Sequence, residues 1–199
     1  VIKMARERKF SSDEIFNTTK ILLLKYGYEG YTFSLLADTL NVSRAAIYKY
    51  YVNKEELIFD YLVSALKKIH IDLKLIDQEL PFTAQLDELV TKMYKYKDLQ
   101  QILVKAKEIQ ENDSEVLIHK KAAIQQLQIG MYSILQTIID QGKKENFLDK
   151  EMPNEIILKF ILHSVATPNS DGVKQESWLF YIKKLICSGI FAKKVSIEV

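Results

Sequence analysis

Apolar residues recur at three- and four-residue steps through most of the chain, the spacing of amphipathic helices. Ile15, Phe16, Thr19, Leu22, Leu23 and Tyr26 form one such face behind Ser11-Ser12-Asp13-Glu14, a capping box that starts a helix; Gly27 and Gly30 end it. A second box, Asn53-Lys54-Glu55-Glu56, opens a long helix to about Asp77, with Leu57, Ile58, Tyr61, Leu62, Leu66, Ile69 and Leu73 on its inner face. Pro81 closes the linker after it. Five further helices are predicted, over about 83–96, 99–110, 115–144, 154–166 and 175–192, broken by Asn112-Asp113-Ser114, Gly142 and the loop Thr167–Gly172. With two short segments between the capping boxes, the chain is expected to be all-α with about nine helices.

Those two short segments organise the rest. Thr32 can cap the first, whose apolar positions are Leu35, Leu36, Ala37 and Leu40. Asn41-Val42 makes the turn, since Asn tolerates a left-handed backbone. Ser43 can cap the second, Arg44 to about Tyr50, which is too short to be stable alone and must be held by packing through Val42, Ile47 and one face of Ala46 or Tyr50. Arg44, Ala45, Tyr48 and Lys49 are then left exposed. Cations at both ends with a Tyr and a small residue between them suit a helix laid in a major groove: Arg and Lys reach guanine edges or phosphates, Tyr donates to phosphate, and Ala permits close approach. The pair reads either as a helix-turn-helix, within an N-terminal DNA-binding domain of three helices, or as a plain pair of packed helices in an all-helical domain.

Thr32, Ala37, Val42, Ser43, Ile47, Tyr48, Tyr50, Tyr51, Lys54, Glu55 and Leu57, preceded by Leu23, Tyr26-Gly27-Tyr28 and Gly30-Tyr31, resemble the DNA-binding domain of the TetR family of bacterial transcriptional regulators. The resemblance is close from about Ser11 to Leu62; beyond that only the helical layout is similar. Asn41, Ala45 and Tyr51 depart from the family's usual Gly, Gly and Phe, mild changes for geometry. The expected DNA-binding residues are Thr32, Ser34, Ser43, Arg44, Ala45, Ala46, Tyr48, Lys49, Tyr50 and Lys54, with a phosphate contact at Lys54 as the resemblance implies. It also implies a division into a head at residues 1–53 and a ligand-binding, dimerising body at 54–199, in which a small molecule changes the spacing of two heads through the long helix from Asn53.

The last two predicted helices are apolar on more than one face, which points to a partner as well as a core. A homodimer is expected, with Ile157, Phe160, Ile161, Trp178, Ile182, Leu185 and Gly189 at its interface, and the resemblance implies the same. A two-fold axis would set two reading helices about 34–36 Å apart on a near-palindromic operator. For the small-molecule effector that the resemblance implies, Tyr94, Tyr96, Met131 and Tyr132 are candidate pocket lining, with ordinary core the alternative for each, and with a lean towards something flat or apolar. The functional expectation is a ligand-responsive regulator, a repressor by preference. The competing reading is a helical adaptor that keeps the body and binds protein through the head; Arg44, Tyr48, Lys49 and Lys54 argue against it.

Composition alters this picture little. Net charge is only +2 over 199 residues. Residues 1–53 carry eight basic against five acidic side chains, a net of +3 that leaves the remainder slightly acidic. Arg6, Arg8 and Lys9 precede the first helix and read either as a basic arm for phosphate or the minor groove or as a solvated tail. The single cysteine, Cys187, sits in an apolar helical run and is expected to be buried in a reducing cytoplasm. The stretch VIKMARERKF has no apolar core and is not expected to be a signal peptide, and no apolar run is long enough for a membrane span. His70, His119 and His163 are scattered, no metal-ligand spacing occurs, and phosphate-cradling or nucleophile motifs are missing, so neither cofactor nor enzyme chemistry is expected.

Overall fold

The computed structural model of the chain describes residues 10–107, 115–169 and 172–190. They hold nine helices: α1 (Ser12–Gly30), α2 (Phe33–Thr39), α3 (Arg44–Tyr48), α4 (Lys54–Lys74), α5 (Phe82–Lys95), α6 (Lys97–Lys107), α7 (Glu115–Lys144), α8 (Asn154–Ala166) and α9 (Gln175–Ile190). The all-α expectation holds throughout the described residues. Arg6, Arg8 and Lys9, and the break at Asn112-Asp113-Ser114, lie outside them.

Three of the predicted helix starts, those of α1, α2 and α4, are built from the side chains that signalled them. Ser11 Oγ accepts the Glu14 N–H at 3.1 Å, and the Glu14 carboxylate accepts the Ser11 N–H at 2.6 Å. That reciprocal bond, chiefly its backbone half, holds the Glu14 carboxyl below the usual range. Thr32 Oγ1 accepts from Leu35 N–H at 3.2 Å, and Asn53 Oδ1 from Glu56 N–H at 2.8 Å. Gly27 does not end α1 but kinks it. Its φ of 68° and ψ of −175° lie in a region that only glycine enters at low cost, and one more helical turn follows to Gly30.

The described residues form two compact units, divided between Ala65 and Leu66, between Lys97 and Asp98, and between Gln125 and Gln126; the first holds the residues before Leu66 and those between Asp98 and Gln125, the second the rest. The first unit takes in the front of α4, α6 from Asp98 and the start of α7 as well as α1–α3. Its core joins Ile15, Leu22 and Leu23 of α1 to Leu36, Ile47, Leu57, Ile58 and Leu62, with Tyr31 fully enclosed and bonded through its hydroxyl to Thr19 Oγ1 at 2.9 Å. Burial raises the Tyr31 phenol well above its ordinary pKa, so it stays neutral and can donate. Lys20 of α1 pairs with Asp98 of α6 at 2.8 Å.

In the second unit α8 packs on α9, and both pack on α5. Pro81 cannot cap α5 with its side chain. Glu145, just beyond α7, does so instead, its carboxylate accepting the Phe82 N–H at 3.2 Å, where a negative charge also suits the helix dipole. Gln85, 1% exposed, donates to the carbonyls of Gln78 and Leu80 and ties down the linker before α5.

Candidate nucleic-acid interface

α3 is held from one side only. Ile47 is fully buried and Ala46 is 8% exposed, packed with α2, while the ring of Tyr51 turns inward behind them. Asn41 makes the turn before α3 with φ 53°, the left-handed conformation expected of it. Ser43 has the extended backbone of an N-cap, but its hydroxyl makes no capping bond. The helix closes at Tyr48 rather than Tyr50, because the Ile47 carbonyl accepts from the N–H groups of both Tyr50 and Tyr51 and the chain folds back to bury Tyr51.

The other side of α3 faces outward. Arg44, Ala45, Tyr48 and Lys49 are all exposed, with Tyr48 at 49%. The Tyr48 ring is fixed by an edge-on contact with Phe33 of α2 at 5.1 Å, and the Arg44 guanidinium lies 5.9 Å from its centre. Among the described residues neither Arg44 nor Lys49 enters an ion pair, so both charges remain available to an anion. Thr32, Ser34 and Ser43 are exposed near α3 in sequence. Tyr50 is part-exposed and meets Phe10 edge-on at 5.6 Å.

Two expected members of this face stand differently. Ala46 points into the core beside Ile47, so it cannot reach a base; on so short a helix only Ala45 faces out. Lys54 is half-buried and engaged. Its Nζ donates to the Tyr28 carbonyl at 2.9 Å and sits 3.9 Å over the Tyr28 ring. The Tyr28 hydroxyl donates in turn to the neighbouring Glu55 carboxylate, and desolvation with that bond raises the phenol's pKa.

The expected effector residues are not gathered at one cavity. Tyr94 is 5% exposed and its hydroxyl accepts from Lys97 Nζ at 3.1 Å. Tyr96 donates to Asp72 at 2.6 Å, and that bond, with Lys95, keeps the Asp72 carboxyl below the usual range. Both hydroxyls are thus engaged in bonds within the chain. Met131 is half-buried and Tyr132 is 40% exposed on α7. A small pocket of about 80 Å³ lies between α5 and α9, lined by Thr83, Leu86, Asp87, Val90, Lys183, Ile186 and Cys187, and includes none of the four. Cys187 is exposed rather than buried.

The expected dimer residues divide by helix phase. Ile157, Ile161 and Ile182 are 1%, 1% and 5% exposed, packed within the chain's own core, so they cannot meet a partner. Phe160 and Leu185 are exposed, Trp178 is half-buried with an unpartnered indole N–H, and the surroundings of Gly189 lie outside the described residues. Ile156, Phe180 and Tyr181 are also exposed on the same two helices. Among the described residues no cluster of His, Cys, Asp and Glu could hold a metal ion, and no helix is long and apolar enough to cross a membrane.

Residues 15–61 match the family model for bacterial regulatory proteins of the tetR family. The chain is 24% identical over 142 residues to the uncharacterized HTH-type transcriptional regulator YhgD of Bacillus subtilis (strain 168), covering 69% of this chain and 73% of that protein. Its fold is similar to that of a tetR-family regulatory protein from Rhodococcus RHA1, with TM-score 0.71 at 14% identity over 94% of this chain and 98% of that one. It is also similar to the ketosteroid transcriptional regulator KstR2 of Mycobacterium tuberculosis, with TM-score 0.68 at 15% identity over 92% and 95% of the two chains.

Proposed function

We propose that this chain, which belongs to the TetR family of bacterial transcriptional regulators through the domain matched at residues 15–61, is a ligand-responsive repressor that binds a near-palindromic operator as a homodimer. The observation that carries the reading is the two-sided character of α3: Ile47 is fully buried on one side, and Arg44, Tyr48 and Lys49 are exposed on the other without ion-pair partners among the described residues. Arg44 is the candidate for base edges; Lys49, the Tyr48 hydroxyl and the hydroxyls of Thr32, Ser34 and Ser43 suit phosphate. Residues 1–53 act as the reading head and 54–199 as the regulatory body. Because α4 starts at the boundary of the head and runs on into the body, an effector that prefers one arrangement of the body can change the spacing of two heads. An apolar effector suits a body rich in Tyr, Met and aliphatic side chains.

The homodimer is assigned to the exposed sides of α8 and α9. Five large apolar side chains there, Ile156, Phe160, Phe180, Tyr181 and Leu185, are 38–60% exposed, more than isolated surface residues account for. Combining Phe160→Asp with Leu185→Asp is expected to turn the dimer into a monomer in sedimentation velocity and to leave the helical circular dichroism intact, since neither residue is in the core. A double variant that still sediments as a dimer removes this interface.

Selection from a randomised duplex library by the purified chain tests the reading as a whole. The expected enrichment is a site of two related halves, bound more weakly as salt is raised. A chain that enriches no sequence and shows no salt-dependent binding overturns it.

A further inference from the structure

The first turn of α4 joins several elements of the first unit through three consecutive residues. Lys54 and Glu55 hold Tyr28, within the kinked end of α1. Glu56 faces two ways. Its Oε2 accepts the N–H of Val52, four residues beyond the end of α3, at 3.0 Å. Its Oε1 and its main-chain carbonyl both face Lys120 of α7, at 3.4 and 3.3 Å. Lys120 Nζ also pairs with Asp60 at 2.8 Å, and its side chain is only 16% exposed. Lys120 therefore neutralises two carboxylates of α4, one of which secures the backbone that leaves the reading helix.

We propose that Lys120 is a positioning residue for DNA binding: from α7, well outside the helix-turn-helix, it fixes Glu56 and through Glu56 sets the seating of α3. The inference rests on the reading that α3 binds DNA. A flexible carboxylate on the first turn of α4 would hold the Val52 N–H only part of the time. The ammonium removes that freedom, because it binds the carbonyl and the carboxylate of the same residue and anchors itself on Asp60. The low exposure makes this pair less screened than an ordinary surface ion pair. α7 then does more than support the body: where its front end lies determines how α3 is presented.

The test uses the full chain and a duplex selected by the wild-type protein from a randomised library. Lys120→Met keeps the aliphatic stem and removes the charge. It is expected to weaken binding about tenfold, the scale of a lost charge-assisted hydrogen bond, with Lys120→Arg restoring most of the affinity. The slope of log affinity against log salt should not change in Lys120→Met, because no phosphate contact is lost; Lys49→Met, by contrast, should lower it by about one for each copy bound. Unchanged affinity in Lys120→Met overturns the inference. So does a fall in slope, which would mean that Lys120 touches DNA itself. If Lys120→Met does not fold, Glu56→Gln and Asp60→Asn carry the same test, and wild-type affinity in both overturns it. A wild-type chain that selects no duplex counts against the DNA-binding reading instead.

Discussion

Replacing Arg44 and Lys49 together by alanine is expected to lower affinity for a selected duplex by at least about a hundredfold while the melting temperature moves by no more than a degree or two. Both side chains are exposed and neither forms an ion pair among the described residues, so their loss leaves nothing buried unsatisfied. Each change is present twice in a dimer, and every contact removed is worth roughly 1 kcal/mol or more. The two residues should also separate in kind. Arg44→Ala alone should relax base preference at one position of each half-site, whereas Lys49→Ala should weaken all sequences alike. Tyr48→Phe is the informative companion. It keeps the ring on Phe33 and removes only the hydroxyl, so a several-fold loss of affinity with no loss of stability would place that hydroxyl on a phosphate. Unchanged affinity in the double variant would mean that this side of α3 does not face DNA.

Ile47→Ala should have the largest effect on stability, about 2–5 kcal/mol, the usual range for emptying an enclosed aliphatic site. Ile47 is fully buried on a helix of five residues, which has no stability of its own to fall back on. The cost is a large part of the 5–15 kcal/mol that holds a typical domain together. Hydrogen exchange should show the amides of α2, α3 and the turn between them losing protection first, while α8 and α9 keep theirs. DNA binding should fall with it. A variant with native protection in α3 would show that packing through Ile47 is not what orders the reader.

Local chemistry was the legible part of this fold. Ser11 with Glu14, Thr32, and Asn53 with Glu56 announce helix starts, because a cap is made by residues three apart and needs no tertiary neighbour. Asn41 announces its turn for the same reason. Helix phase was harder. Ala45 and Ala46 are chemically identical neighbours, and only the side on which α2 lies decides that the second is buried. The same holds for Ile156, exposed, beside Ile157, buried: composition marks the helix as apolar on two sides but does not say which side the chain covers itself. Contacts across long sequence separation were not legible at all. Tyr96 reads as free lining until Asp72 is seen beneath its hydroxyl, and Lys54 as a free cation until the Tyr28 carbonyl and ring are seen beside it. Nothing near Pro81 signals that Glu145 will cap the helix after it, and nothing near Glu56 signals Lys120, 64 residues away.

Guanine-N7 methylation interference on a duplex selected by the wild-type chain tests the central claim most directly, because N7 lies in the major groove. Two short runs of interfering guanines, centred about 10–10.5 base pairs or a multiple of that apart and symmetric about the middle of the site, are the expected result. The Arg44→Ala chain should lose one position from each run. Tight binding with no interference at N7, or a single run with no counterpart across the site, would contradict a paired reading head built on α3.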